Sequence, residues 1–453
     1  MTARPLSDLC IVGGGMSGLA LAAFVKENLS IHLLEQSPTL GGLLQNSSDN
    51  NIVRDHAANG WLNNEPSVEK LLKIIALEKA QLSANEHRNT RYLVHQNRLH
   101  ALNPKILFSS LISWKGLWGI CRDLWTKAGV LEDESMAAFI SRRFHRDLVD
   151  NFVAPMTAGI YACEPEELSV PAAFPNLWNL EKEHGSLIKG MRQSKTPRGQ
   201  LTTIKGGMGQ FVEGLQKYLD GTVHCHQTVE SISWNPEQHW SIQSRNEHQA
   251  PETWHCKNLA LTCPAPIQSK LLQPLFPKIA EILAQIEYAP VAVVIQEFDV
   301  NDFTNIPRGF GGLMTRSQRE DGVLGILFTS EIFPSHSQPH TILTRTILGG
   351  SIQPDIVQKS NQELMHLALK RHQQIFKSPN LQSQKSLVIK HPMGIPKYPV
   401  GHIKIQEQIT QFHQEHPNIR LSGNHLFGVA IKDCIRNAHH IAQHFIQHST
   451  INI

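Results

Sequence analysis

Cysteine is scarce in this chain, and what there is does not pair. Seven cysteines are scattered over 453 residues without a CxxC motif. That argues against a disulfide framework and for reduced thiols in a cytosolic setting. No apolar run reaches the length of about 20 residues that a bilayer-spanning helix needs. Residues 1–9 are too short and polar to read as a secretory leader. Neither sign of charge dominates: 42 Lys+Arg against 39 Asp+Glu leave a formal +3, which excludes an electrostatic footprint for nucleic acid. Histidine is plentiful at 25, yet there is no HExxH motif and no Cys/His ligand set. His224-Cys225-His226 would place two imidazoles on one face of a strand, which reads as a polar strand face before it reads as a metal site. No triad and no obvious acid–base pair appears either. The length predicts two or three domains. Repeats and low-complexity tracts are missing too, so the domains are expected to be interleaved rather than strung in series.

What is there begins at residue 8. Asp8-Leu9-Cys10-Ile11-Val12 is an apolar run of strand length feeding into Gly13-Gly14-Gly15-Met16-Ser17-Gly18. An apolar helical pattern follows, and then a second β-rich run, Ile31-His32-Leu33-Leu34, ends on Glu35. In such a unit Gly13 permits the strand-to-helix turn, Gly15 admits a pyrophosphate against the backbone, and Gly18 lets helix and strand pack closely. The helix N-terminus, with Ser17 in its first turn, offers free N–H groups and a positive dipole end to phosphate. Glu35, 22 residues after Gly13, is placed to accept hydrogen bonds from a ribose diol, which favours FAD or NAD over a phosphorylated ribose. Gly41-Gly42 resembles the second glycine pair of FAD-dependent amine-oxidase-like enzymes, although leucines flank it where arginines are usual. FAD is the expected cofactor.

Further along, residues 66–77 show helical periodicity, and residues 91–94 and 98–102 read as a hairpin turning at His95-Gln96-Asn97. Residues 104–192 read as helical. Within them, residues 106–125 mix Trp114, Trp118 and Trp125 with aliphatic and basic side chains, a composition suited either to a membrane interface or to a core-facing helix pair. Ser135 is a candidate helix cap, and Arg142-Arg143 reads as a solvated helix face without a site role. Short strands return near residues 222–225, 228–232 and 259–262. Strands near 291–298, 325–328 and 341–348 suggest an antiparallel sheet, followed by a helix over 362–376. At the C-terminal end a strand runs into Gly423 and Asn424. Gly428 to Cys434 then leads into a helix, a second strand–glycine–helix element able to bring a helix N-terminus to a flavin.

These residues resemble oxygen-dependent protoporphyrinogen oxidase of haem synthesis, nearly end to end. Beyond the glycine fingerprint, the likeness runs through Asp133-Glu134-Ser135, Pro155-Met156-Thr157-Ala158-Gly159-Ile160-Tyr161-Ala162, Tyr288-Ala289-Pro290-Val291, Leu348-Gly349-Gly350 and Tyr398-Pro399-Val400-Gly401-His402. The resemblance implies an α/β fold: a Rossmann-like FAD-binding domain, an α+β substrate domain and an inserted helical domain for membrane attachment. The expected boundaries are 1–85, 203–285 and 405–453 for the first, 86–103 and 286–404 for the second, and 104–202 for the third. It also implies oxidation of protoporphyrinogen IX, or alternatively coproporphyrinogen III, with O₂ as acceptor. A flavin oxidoreductase of the amine oxidase or desaturase kind, or a flavin- or porphyrin-binding chaperone without turnover, are the other readings.

By the same resemblance Arg91 binds a substrate propionate, and Gly159, Leu324 and Ile347 line the porphyrinogen cavity. Cofactor contacts fall to Gly13, Gly14, Gly15, Ser17, Gly18, Glu35, Gly41, Gly42, Val229, Gly423, Asn424, Val429 and Ile431. The expected setting is cytoplasmic and peripheral on the inner membrane face, with a homodimer and hand-over to a ferrochelatase as further expectations. Asn424 departs from the alanine or aspartate common in relatives, and Asn103 from the usual leucine before Pro104.

Overall fold

The computed structural model describes residues 5–193 and 199–451. Residues 1–4 and 452–453, assigned above to the cofactor domain, and 194–198 of the helical segment lie outside the described residues.

Two seven-stranded sheets organise the chain. The first runs in the order Val223–His224, Ile31–Leu34, Ser7–Val12, Pro251–Leu261, Trp240–Arg245, Thr228–Trp234, with Ile419–Leu421 paired beside Pro251–Leu261. Its members from Val223–His224 to Pro251–Leu261, together with Ile419–Leu421, are parallel. That explains their apolar runs, because both faces of a parallel sheet are covered. On one face lies helix Met16–Val25, apolar all round and buried beneath helix Ile431–Ile451. On the other lie helices Ala265–Leu272 and His402–Glu415, packed through Leu271, Ile409 and Phe412.

The second sheet has the order Lys385–Pro396, Tyr288–Asp299, Thr341–Gly349, Val323–Leu327, Gly311–Met314, Arg91–His95, Arg98–Ala101. Its terminal hairpin turns at Gln96 (φ 50°) and Asn97 (φ 55°), the left-handed pair of a type I′ turn that matches strand twist. One face packs on helix Asn361–Ile375, whose Leu364 and Ala368 meet Val294, Ile326 and Leu348. The opposite face is met by helix Ala154–Tyr161 and by the strand Ile52–Asp55, whose Ile52 packs on Val293 and Ile295. Arg54, buried, fastens this junction: its Nε donates to Glu297 Oε1 at 2.6 Å and its Nη1 lies 2.5 Å from Asp49 Oδ1.

Residues 104–193 hold short helices, among them Trp114–Arg122, Met136–Arg143, Ala154–Tyr161 and Pro175–His184. Ser135 caps the second, accepting from Ala138 N–H at 3.2 Å. The expectation of a solvated Arg142-Arg143 face is corrected here. Arg143 is fully buried, donating to Asp123 Oδ1 at 2.5 Å and to the Gly185 carbonyl at 3.1 Å, and it also contacts Glu181. Burial pushes the Asp123 and Glu181 carboxyls up, but hydrogen bonds outweigh it and hold both below their ordinary values. Asp123 takes these from Ile188 N–H, Ser186 and Arg143, and Glu181 from Arg142 and Arg143.

Candidate active site

The parallel strands of the first sheet all end on one edge, and the sequence places its glycines there. Gly13 has φ 113°, and a Cβ on it would lie 2.8 Å from Cys263 N, at the end of the neighbouring strand. A Cβ on Gly18 would meet the Gly13 carbonyl at 2.0 Å. Both glycines are therefore fixed by packing. Gly15 is different: a Cβ there meets nothing within 4 Å. It is the N-cap of helix Met16–Val25, has no side-chain cap, and the helix carries no acid in its first turn. This is an open, uncapped helix N-terminus lined by backbone, the arrangement that receives a pyrophosphate.

Gly41 and Gly42 come to the same place. Gly41 N–H donates to the Gly14 carbonyl at 2.8 Å, Gly15 and Gly41 form an isolated bridge, and a Cβ on Gly42 would touch Gly15 Cα at 3.4 Å. Glu35 accepts from Gly14 N–H at 2.6 Å through one oxygen and from Ser37 N–H at 2.8 Å through the other. Each oxygen keeps a further lone pair for a diol. Val229 lies two residues beyond Gln227, whose N–H donates to the Glu35 carbonyl at 2.8 Å. The C-terminal strap arrives beside them: Ser422 N–H donates to the Leu261 carbonyl at 2.9 Å, and Gly423 has φ 147°. Ile431 packs in one cluster with Met16 and Leu19, so the N-termini of two helices lie side by side. Val429 instead packs at the edge of the helical layer, with Tyr161 and Tyr398.

A second group assembles on the face of the second sheet opposite helix Asn361–Ile375. Residues paired across neighbouring strands point to the same face, and one row reads Leu93, Leu313, Gly325, Ile347. Helix Ala154–Tyr161 lies on that row, and a Cβ on Gly159 would stand 2.7 Å from Leu313 Cδ2. Leu324 packs with Ala158 and Ala162 of the same helical turn region, with Ile347 alongside. The row two residues away reads Arg91, Gly311, Leu327, Arg345. Arg91 is exposed at its rim, its guanidinium 4.8 Å from the Phe310 ring centroid. Gly159, Leu324, Ile347 and Arg91 thus belong to one side of one sheet.

The sequence marks residues 55–62 as a small-residue loop, less glycine-rich than is usual in relatives, but gives no site role to this segment, which joins the two groups. Asp55 accepts from Met208 N–H at 2.8 Å, at the start of helix Met208–Tyr218. Arg345, also buried, donates to the Ala57 carbonyl, and His391 Nε2 lies 3.1 Å from the His56 carbonyl. Burial pushes Asp55 up, against the Met208 N–H and the Arg345 charge, and pushes Arg345 and His336 down. The Asn59 amide nitrogen is buried without a protein partner among the described residues. The run of small residues from Ala57 to Gly60 was the available signal, but only the fold shows that it lies between sheet and cradle.

The chain matches the family described as flavin containing amine oxidoreductase over residues 16–446. It is 27% identical to protoporphyrinogen oxidase 2, chloroplastic/mitochondrial, of Arabidopsis thaliana, covering 93% of this chain and 90% of that protein. It is 24% identical to coproporphyrinogen III oxidase of Staphylococcus aureus (strain NCTC 8325 / PS 47), covering 94% and 96%. A crystal structure from Exiguobacterium sp. 255-15 superposes with a TM-score of 0.83 at 22% identity, over 98% of this chain and all of that one.

Proposed function

This chain belongs to the flavin containing amine oxidoreductase family, and from that premise we propose that it oxidises protoporphyrinogen IX to protoporphyrin IX with O₂ as acceptor. It is an FAD-dependent oxidoreductase. The observation that carries the substrate reading is the second sheet's apolar face, roofed by the Gly159 helix and rimmed by Arg91, next to an open glycine cradle. FAD held there would supply the hydride acceptor for the macrocycle and the route of its electrons to O₂. The chain's own groups do the holding. The backbone at Gly13, Gly15 and Gly42 and the uncapped helix N-terminus take the pyrophosphate. Glu35 takes a ribose diol. Arg91 takes a propionate through paired N–H groups. Leu324 and Ile347 exclude water from the ring face. Asp55 and Arg345 fix the loop between them, Asp55 on the cradle side and Arg345 on the sheet.

A second reading, coproporphyrinogen III as substrate, is favoured by the near full-length similarity to coproporphyrinogen III oxidases of Staphylococcus aureus and Bacillus subtilis. Side-by-side oxidation of the two porphyrinogens, followed by porphyrin fluorescence, decides. Faster turnover of the two-propionate substrate supports the first reading, faster turnover of the four-propionate substrate the second, and turnover of neither removes both.

Attachment to the inner membrane face belongs to the same proposal. Phe108 (88% exposed), Trp114 (74%), Trp118 (66%) and Trp125 (72%) cover no core, and Lys115 and Lys127 are exposed beside them. Among the described residues no helix is long and apolar enough to cross a membrane, so contact would be peripheral, with rings in the interface and ammonium groups in water.

A further inference from the structure

The Tyr398-Pro399-Val400-Gly401-His402 run has no part in the site described so far, yet it meets that site directly. Tyr398 is fully buried, its ring stacked on His402 at 4.0 Å between centroids and 5.6 Å from the Tyr161 ring. Its hydroxyl donates to the Asn424 carbonyl at 2.8 Å and accepts from Gly428 N–H at 2.8 Å. Those residues lie near the two ends of the strap that leads from the strand Ile419–Leu421 to helix Ile431–Ile451. The strap has no regular structure of its own, so side chains satisfy much of its backbone. Gln406 Nε2 donates to the Leu426 carbonyl at 2.6 Å and Asn437 Nδ2 to the Phe427 carbonyl at 3.2 Å. Tyr398 alone among these holds both an acceptor and a donor of the strap. A buried backbone group without a partner is costly, so removing one hydroxyl leaves two groups unpaired.

Tyr398 is itself seated by the helical layer. Ser169 N–H donates to its carbonyl at 2.8 Å, and Leu168 bridges to Pro399. Asp133 accepts from Gly401 N–H at 2.7 Å and from Ser169 Oγ at 2.7 Å. Helical layer, strap and helix N-terminus are therefore joined through one phenol.

We propose that Tyr398 is a positioning residue for the cofactor, its hydroxyl fixing the strap that brings the N-terminus of helix Ile431–Ile451 to the FAD. The inference rests on FAD binding at the glycine cradle. Tyr398→Phe keeps the ring and its packing and removes only the hydroxyl. Tyr161→Phe is the control: its ring also packs in the cluster that Val429 of the strap joins, but its hydroxyl donates to the Ala173 carbonyl at 2.9 Å, within the helical layer. Apoprotein of each is titrated with FAD by flavin fluorescence, with thermal unfolding of the apoprotein recorded alongside.

Tyr398→Phe should weaken FAD binding by about tenfold or more, while Tyr161→Phe stays within about twofold of wild type even if both lower the apoprotein's Tm. In the Tyr398→Phe protein, exchange of the Gly428 amide hydrogen should also quicken. Should Tyr398→Phe fail to fold, Gln406→Met, which frees the Leu426 carbonyl from another side, should weaken FAD in its place. Wild-type FAD affinity in folded Tyr398→Phe, or equal losses in Tyr398→Phe and Tyr161→Phe, overturns the proposal, as does unchanged affinity in Gln406→Met if that variant has to stand in. A wild-type protein that binds no FAD overturns the cofactor reading instead.

Discussion

Replacing Arg91 by alanine separates a substrate anchor from a surface arginine. The guanidinium is exposed at the rim of the sheet, stacks on Phe310, and forms no ion pair with a described carboxylate. The folded protein should therefore lose little: an exposed substitution of this kind costs within about 0.5 kcal/mol, and Tm should hardly move. The complex should lose much more. A hydrogen bond to a charged group is worth about 1.5–3 kcal/mol, which at about 1.4 kcal/mol per decade is roughly a ten- to hundredfold fall in kcat/KM. Because a propionate is held alike before and during reaction, the loss should appear mainly in KM. Arg91→Lys should fall between, keeping charge but losing the paired geometry. The assay is porphyrin fluorescence at varied porphyrinogen, repeated with the substrate's methyl ester. On the ester, wild type and Arg91→Ala should converge. An unchanged KM on the free acid, or an equal loss on acid and ester, refutes the role given to Arg91.

Gly15→Ala should leave apoprotein Tm unchanged, since its Cβ meets nothing, yet weaken FAD binding by about tenfold or more in a fluorescence titration, because the methyl fills the cradle. Gly18→Ala, with its Cβ 2.0 Å from a carbonyl oxygen, should instead destabilise the fold in a melting experiment. Arg143→Met removes the partner of Asp123 and one partner of Glu181, a change that costs about 3–5 kcal/mol at neutral pH. Both carboxyls titrate below their ordinary values, so the wild-type contribution is complete above about pH 5 and fades as pH falls through the lowered values. The gap in Tm between wild type and variant should therefore narrow towards pH 3. Serine at Trp114 and Trp118 together should cut vesicle flotation at least tenfold in a folded protein, since each ring contributes on the order of 2–3 kcal/mol of apolar burial. Undiminished flotation would remove the segment from the membrane.

The glycine cradle was legible because it is local. Turn, helix start and closing acid fall within residues 8–42, and each glycine answers to a backbone constraint a few residues away. Lys385–Pro396, which closes one edge of the second sheet, gave no such signal. It is half-buried along most of its length without clean alternation, and its partner Tyr288–Asp299 is distant in sequence. Gly311–Met314 looks like a turn, and its glycines are tolerated because Gly311 sits against the Ile326 carbonyl at a Cβ distance of 2.3 Å. Arg143 was misread for a related reason. Two adjacent arginines look solvated when their acids are elsewhere in the sequence, and Asp123 and Glu181 stand 20 and 38 residues away. The same holds for Tyr398, whose strap partners become neighbours only once both sheets and the helical layer are assembled.

The most direct test counts electrons. Purified protein carrying FAD is given protoporphyrinogen IX in air-saturated buffer, and porphyrin and H₂O₂ are measured in the same sample. Aromatising the macrocycle removes six electrons, so about three H₂O₂ should appear per porphyrin, and both should stop when O₂ is withdrawn. Porphyrin formed without H₂O₂, or at the uncatalysed rate, contradicts an oxygen-dependent porphyrinogen oxidase.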